Sequence, residues 1–372
     1  MSSGARELQR PGVLENAAHE LAAAHSVASG LPRVVAPLAA LDALPAWLTR
    51  AEDALAEPDG AAAKAAEWFL DNAYIVRRAV RQVREDMPAG FYARLRPLAI
   101  GDRSGVPRVY TLARALLQST DAQLTPEAIT RFVNAYQEVT VLDIAELWAF
   151  PTMLRLACLE LLVTAVARLL PVLVAPFAAD ACEPAPAPLD DTECVARAIR
   201  SLATVAALPW KDFFQRTSAV ERVLEGDPSR VYSQMDFDTC DRYRKVVEEL
   251  AHGAGHPEVE VARRAIDAAA RHVEDGDTRH AHVGYWLIDD GRLSLEATLG
   301  YRPGQVSAGD ADCGGTLGCS TRRRSWARPR SPPRLPRRTC TPTTHPPLSG
   351  SPAWCSSFYP RRRSPSPPCT PP

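Results

Sequence analysis

The chain has 372 residues, with 43 Lys and Arg against 44 Asp and Glu, and 46% of it is hydrophobic, enough for two or three packed domains. Eleven of the basic residues are Arg that follow residue 312, where no Asp or Glu occurs, so the first 312 residues hold 32 basic and 44 acidic side chains, a net charge of −12. A body this acidic is a poor candidate for a nucleic-acid binder, which needs clustered positive charge. Cys158, Cys182, Cys194 and Cys240 precede the tail without paired spacing, which predicts a reducing cytosolic setting and no disulfide framework.

Residues 1–12 carry no apolar core of a secretory signal. Residues 1–60 are Ala-rich and broken by Pro32, Pro37, Pro45 and Pro58, which reads as an arm of short helices or loose chain. A helix is predicted over 61–86. Phe69, Ala73, Val76, Val80, Val83 and Met87 recur at steps of four and three and form one apolar stripe. Arg77, Arg78, Arg81 and Arg84 fall mainly on the other faces, where Glu67, Asp71, Glu85 and Asp86 offset them. Pro107 opens a helix to about residue 118. Thr125-Pro-Glu127 combines an N-cap hydroxyl, a first-turn proline and a carboxylate at the positive helix end, so a helix follows over 126–136. The next begins near Leu142, is expected to break or kink at Pro151, and continues from Thr152.

The run 159–177 is the most apolar in the chain, yet it holds Glu160, Arg168 and Pro171. It predicts a buried helix, since a membrane span needs about 20 nearly charge-free residues. Three alternating prolines make 183–190 a linker. Helices resume over 191–206, over 210–224 with capping-box spacing at Ser218 and Glu221, and over 238–251 and 257–274. Residues 282–288 (HVGYWLI) form the one candidate strand. The expected fold class is all-α: a multi-helix array of antiparallel helices joined by short Pro/Gly turns. It is organised as an arm (1–60), a first helical part (61–182), the linker, a second helical part (191–303) and a tail (304–372). The tail is rich in Arg, Pro and Ser, is expected to be disordered, and has the composition of GC-rich codons read out of frame.

The residues offer little chemistry. Asp236 and Asp238 have the D-x-D form that can hold a divalent cation, but they stand before a helix, where Asp238 reads as an N-cap. His272, His280 and His282 lie near Glu274, Asp275 and Asp277, types that bind zinc, within a polar loop of a kind that is commonly just solvated. His252 and His256 read as solvated too. The Arg run on 61–86 reads as a solvated face, and Trp68, Phe69, Tyr74, Phe91 and Tyr92 as interhelix packing. No Ser or Cys is placed with a His as nucleophile and base.

Several strings stand in a suggestive order. They are Glu67-Trp-Phe-Leu-Asp-Asn-Ala-Tyr74, then Arg78-Ala-Val-Arg-Gln-Val-Arg-Glu-Asp-Met-Pro88 with Gly90-Phe-Tyr92, then Pro107-Arg-Val-Tyr110. Arg131-Phe-Val-Asn-Ala-Tyr-Gln-Glu-Val-Thr140 and Ala145-Glu-Leu-Trp-Ala-Phe-Pro-Thr-Met-Leu-Arg-Leu156 follow. Tyr232-Ser-Gln-Met-Asp-Phe237, Asp241-Arg-Tyr-Arg244 and His282-Val-Gly-Tyr-Trp-Leu-Ile-Asp289 complete the series. Together, from about residue 61 to 303, they resemble the N-terminal region of bacterial cyclic β-1,2-glucan synthases. The resemblance implies a large inner-membrane parent that polymerises glucose from UDP-glucose and cyclises the product, with its transferase domain and transmembrane helices further along the chain. It carries over no catalytic residue.

The expectation is therefore a non-catalytic scaffold or regulatory fragment, cytoplasmic itself, without catalytic, cofactor-binding or metal-binding residues and without a cofactor. Its partner would be the missing transferase domain or a partner helix; nucleic acid and a direct membrane span are not expected. The alternative is a freestanding helical interaction module whose stripe of Phe69, Val76, Val80 and Val83 is a groove for a partner helix. An Arg-tail nucleic-acid arm ranks last.

Overall fold

The computed structural model of the chain describes residues 12–57, 62–101, 103–177, 190–273 and 278–302, all within one compact unit. Most of the proline-rich linker and the whole 304–372 tail lie outside the described residues. Among the described residues there are sixteen α-helices and no strand. The first nine are α1 (Val13–Ala24), α2 (Ala36–Ala39), α3 (Leu44–Leu55), α4 (Ala63–Asp71), α5 (Ala73–Asp86), α6 (Ala89–Tyr92), α7 (Arg108–Ser119), α8 (Pro126–Val139) and α9 (Ile144–Leu169). The rest are α10 (Asp191–Ala207), α11 (Trp210–Thr217), α12 (Ala219–Leu224), α13 (Phe237–Ala254), α14 (Glu258–Ala270), α15 (Val283–Leu287) and α16 (Arg292–Leu299).

The most apolar stretch of the sequence becomes the axis of the fold. Helix α9 is long and apolar enough to cross a membrane by length and composition, but 94% of its most apolar 18-residue window is buried inside the protein. Helices α5, α7, α10 and α11 cover it. The expected break at Pro151 does not occur. Proline removes one i→i−4 hydrogen bond and crowds the preceding turn, a cost of about 3 kcal/mol. Burial of Leu147, Phe150, Met153, Leu154, Leu162 and Val166, each worth about 1.5–3 kcal/mol, outweighs it.

Other boundaries also move for local reasons. The helix expected over 61–86 divides at Asn72 (φ −118°, ψ 14°), whose side-chain amide donates to the Trp68 carbonyl at 2.9 Å. A short polar side chain that bonds the backbone in this way competes with the helix. Ser218 splits 210–224, because its hydroxyl accepts from the Glu221 amide at 3.2 Å and so starts a new helix, α12. The segment 282–288 is helical at α15, not a strand. Val283, Gly284 and Leu287 are buried at helical spacing, and an isolated strand would have had no ladder partner. Residues 13–55, expected as an arm, contribute Leu14, Ala18, Leu44, Trp47, Leu48 and Leu55 to the core, with α1 lying along α8.

Burying α9 also buries its charges. Glu146 is fully buried and takes a bidentate pair from Arg108 on α7, at 2.7 Å from Nε and 2.5 Å from Nη2. Arg108 also donates to the Val141 carbonyl at 2.8 Å. Burial pushes the Glu146 carboxyl above the ordinary carboxylate range, against the pull of Arg108. Fourteen residues further along α9, the Tyr110 hydroxyl donates to Glu160 at 2.5 Å, and Arg114 lies 3.4 Å from the same oxygen. Two rungs thus fix the register of α7 on α9.

Removing one member of such a pair strands the other charge in an apolar site. Glu146→Gln is expected to lower unfolding free energy by about 3–5 kcal/mol in chemical denaturation, and Arg108→Met with Glu146→Leu to recover most of it. Wild-type stability in Glu146→Gln would contradict this account of the register.

Candidate functional site

The region between α12 and α16 holds the densest set of unusual side chains. Asp227, in the turn after α12, is 3% exposed and is the hub. Its Oδ2 accepts the Val231 and Tyr232 amides, both at 3.2 Å, and the Ser229 hydroxyl at 2.5 Å. Its Oδ1 accepts the Val283 amide at 2.9 Å, which opens α15. The His282 Nδ1 donates to Oδ2 at 3.0 Å. Burial opposes the charge, but these donors outweigh it and hold the carboxyl down to about 2.

Ser229, His282 and Asp227 thus meet in space, a cluster the sequence did not disclose. It has the residue types of a hydrolytic relay without its geometry. In a relay the nucleophile and the carboxylate address opposite ring nitrogens. Here the Ser229 hydroxyl (3.1 Å) and Asp227 both address Nδ1, and Nε2 faces the Tyr243 hydroxyl at 3.2 Å. The cluster clamps the chain and offers no path for the serine proton to Nε2. A methyl at Gly284 would stand 2.4 Å from the Tyr243 hydroxyl and 2.5 Å from His282 Nε2, so close packing dictates glycine there.

A second buried ion lies beside the clamp. Arg244 on α13 is fully buried between the rings of Phe214 (4.9 Å) and Phe237 (4.5 Å). It donates to Glu221 at 2.7 Å, and the Tyr232 hydroxyl reaches the same oxygen at 2.9 Å. Trp148 of α9 stacks on Phe214 at 4.7 Å, which ties this end of the molecule to the central helix.

Outward from the clamp the rings reach the surface. His272 lies 5.5 Å from His280 and 5.4 Å from Trp286, His280 lies 4.2 Å from Tyr285, and Tyr285 lies 5.3 Å from Trp286. The Trp286 indole N–H donates to the His280 carbonyl at 2.9 Å. His272 Nδ1 donates to the Ala268 carbonyl at 3.1 Å. Trp286 and His272 line a cleft of about 130 Å³ with Asp267, Arg271, Ser294 and Thr298.

The other expected residues separate. Asp236, not Asp238, is the N-cap of α13, and its oxygens accept from the Thr239 amide (2.8 Å) and hydroxyl (2.9 Å), which lowers its pKa. Asp238 pairs with Lys211 at 3.3 Å. His282 turns to Asp227, away from His272 and His280, and Glu274, Asp275 and Asp277 lie outside the described residues. His256 stands 3.8 Å from Glu260. Among the described residues no group of three His, Cys, Asp or Glu side chains is arranged to hold a metal ion. Arg77, Arg81 and Arg84 pair with Glu52, Glu85 and Asp42. Phe69, Val76, Val80 and Val83 are buried, so the stripe is a core contact and no open groove. Tyr74, expected in packing, is 69% exposed.

One further group was missed. Glu258, at the start of α14, accepts the Ile144 amide at 2.7 Å and so caps α9 from 114 residues away. Burial, then the nearby Asp143 and Glu146 carboxylates, push it up to about 8, with Arg96 pulling the other way.

No family model matches the chain. It is similar to the cyclic beta-(1,2)-glucan synthase NdvB of Rhizobium meliloti (strain 1021), with 27% identity over 326 aligned residues that cover 68% of this chain. The chain spans about a tenth of that relative's length, the alignment covering 11% of it.

Two expectations follow from these groups. Asp227→Asn removes a charged acceptor of several hydrogen bonds and is expected to lower stability by about 2–3 kcal/mol at pH 7, measured by urea unfolding. Glu258 holds its proton in the fold up to about pH 8 but ionises near 4.5 when exposed. The folded state therefore binds the extra proton in between, and this group's contribution to stability falls as pH rises from about 4.5 to about 8. Glu258→Gln is expected to flatten the melting temperature across that window. An unchanged pH slope in the variant would exclude Glu258 as its source.

Proposed function

We propose that the chain is a non-catalytic scaffold or regulatory segment of a cyclic β-1,2-glucan synthase, bracing the glucosyl-transferring domain from the cytoplasmic side of an inner-membrane parent. One observation carries this reading. The strings that resemble the synthases supply many members of the buried ion and ring networks, whose Glu160, Glu221 and Asp227 lie outside them. Arg108, Tyr110, Tyr136 and Glu146 come from them, as do Tyr232, Phe237, Tyr243, Arg244, His282 and Trp286. Likeness of this kind preserves a shape, since these residues are taken up in packing and hydrogen bonds. The similarity to NdvB, confined to 11% of that protein, supports the same assignment. The synthase activity would belong to the remainder of the parent, with UDP-glucose as donor.

Purified chain incubated with radiolabelled UDP-glucose is expected to incorporate no glucose into glucan or protein. Replacement of the matching segment of NdvB by this chain is expected to retain glucan synthesis, and deletion of the segment to abolish it. Incorporation by the isolated chain, or full synthesis after deletion, would remove the scaffold reading.

A further inference from the structure

The ring ladder at the α14–α15 surface is the largest aromatic feature that the core does not absorb. Trp286, Tyr285, His272 and His280 are each half-buried, and the hydrogen bonds of Trp286 Nε1 and His272 Nδ1 fix two of the rings in place. Gly291 secures a third: a methyl there would lie 2.6 Å from the Tyr285 ring, so the backbone passes directly beneath it. The Arg279 guanidinium lies over the Tyr285 ring at 5.4 Å, so the half-buried Trp286 indole that lines the cleft is the ring suited to a flat, weakly polar ligand.

The polar groups of the cleft narrow the ligand class. Asp267, Ser294 and Thr298 are exposed at the rim, and the His272 imidazole lines the cleft beside them. Arg271 supplies a planar donor. The other cation, Arg264, is already engaged by Glu260 on its own helix and by the Thr298 carbonyl at 3.5 Å. A diphosphate needs several uncommitted cations or aligned backbone amides. The cleft offers one Arg, faced by the Asp267 carboxylate, which repels anions. Alternating hydroxyl acceptors and donors beside an indole face match a neutral saccharide, whose hydroxyls pair with carboxylate, guanidinium and imidazole while its C–H face covers the ring.

We propose that the cleft of Asp267, Arg271, His272 and Trp286 binds a glucosyl unit of a β-linked glucan. The scaffold reading supplies the identity of the saccharide, and the proposal rests on it for that choice alone. A segment that holds the growing glucan would keep it beside a transferase as the chain lengthens.

The test uses the full chain and a β-1,2-linked glucotetraose, followed by calorimetry and by tryptophan fluorescence. Saturable binding is expected. Trp286→Ala and Asp267→Ala are each expected to weaken it at least tenfold, with Trp286→Phe in between. Asp267 is exposed, so its variant keeps the fold; unchanged melting temperatures check this. UDP-glucose is expected not to compete. Absence of glucan binding in the wild type, binding unaffected by both alanine variants, or competition by UDP-glucose would each overturn the proposal. The two readings fail separately: turnover of UDP-glucose removes the scaffold reading whatever the cleft binds, whereas loss of glucan binding without turnover removes only the saccharide site.

Discussion

The fold depends on the neutralisation of charges carried by an otherwise apolar central helix. An amphipathic helix rests one face on a core, but α9 is apolar nearly all round and must be surrounded. Surrounding it takes Glu146, Arg155 and Glu160 out of water. An isolated buried carboxylate is prohibitively costly, so the helix can occupy that position only if α7 brings Arg108, Tyr110 and Arg114 to it. The pairs contribute little net stability over an apolar alternative. They select one rotation and one axial position of α7 against α9, where shapes alone would permit several.

The same logic extends outward in shells. Glu258 caps the start of α9 and brings α14 against it. Trp148, about halfway round α9 from Glu146, stacks on Phe214, which in turn covers the guanidinium of Arg244. Arg244 and Tyr232 share one oxygen of Glu221, and the Tyr232 amide reaches Asp227. A continuous path of ring and polar contacts therefore runs from the central helix to Asp227, which holds the start of α15. Such a path is stiff, because each member satisfies the next and rotating one strands another. Such stiffness suits the bracing role proposed for the segment.

How much of this was legible in the sequence depended on the range of the interaction. The start at Thr125-Pro126-Glu127 was readable because its cap is local: the Thr125 hydroxyl accepts the Ala128 amide three residues on. The apolar stripe of Phe69, Val76, Val80 and Val83 was readable from its period, although nothing in it said that α9, α10 and α3 already cover α5. Spacing at Ser218 and Glu221 revealed a cap but not its consequence, since Glu221 faces Arg244 and Tyr232 instead of closing a capping box. The clamp was invisible: Asp227 and His282 are 55 residues apart, and an Asp in a turn has no periodicity to mark it. Aromatic density over 280–286 was visible, yet the expectation of a strand there misread Gly284, which is needed because Tyr243 and His282 close over it.

The surface rings differ from the core aromatics in one physical respect. Rings such as Trp47, Phe69, Phe132, Phe150, Phe213 and Phe214 are buried to the limit. At α15 the chain had the same option, since Leu287 beside Trp286 is fully buried. Instead the indole N–H is tethered to a loop carbonyl and the imidazole of His272 to its own helix, which leaves ring faces at a polar cleft. A core has no use for an aromatic surface held half in water; each exposed square ångström forgoes about 25 cal/mol of burial. Rigid tethers on partly solvated rings make energetic sense where a third body supplies the missing contact. A neutral, hydroxyl-rich polymer does so without asking the acidic body around it to accept more negative charge.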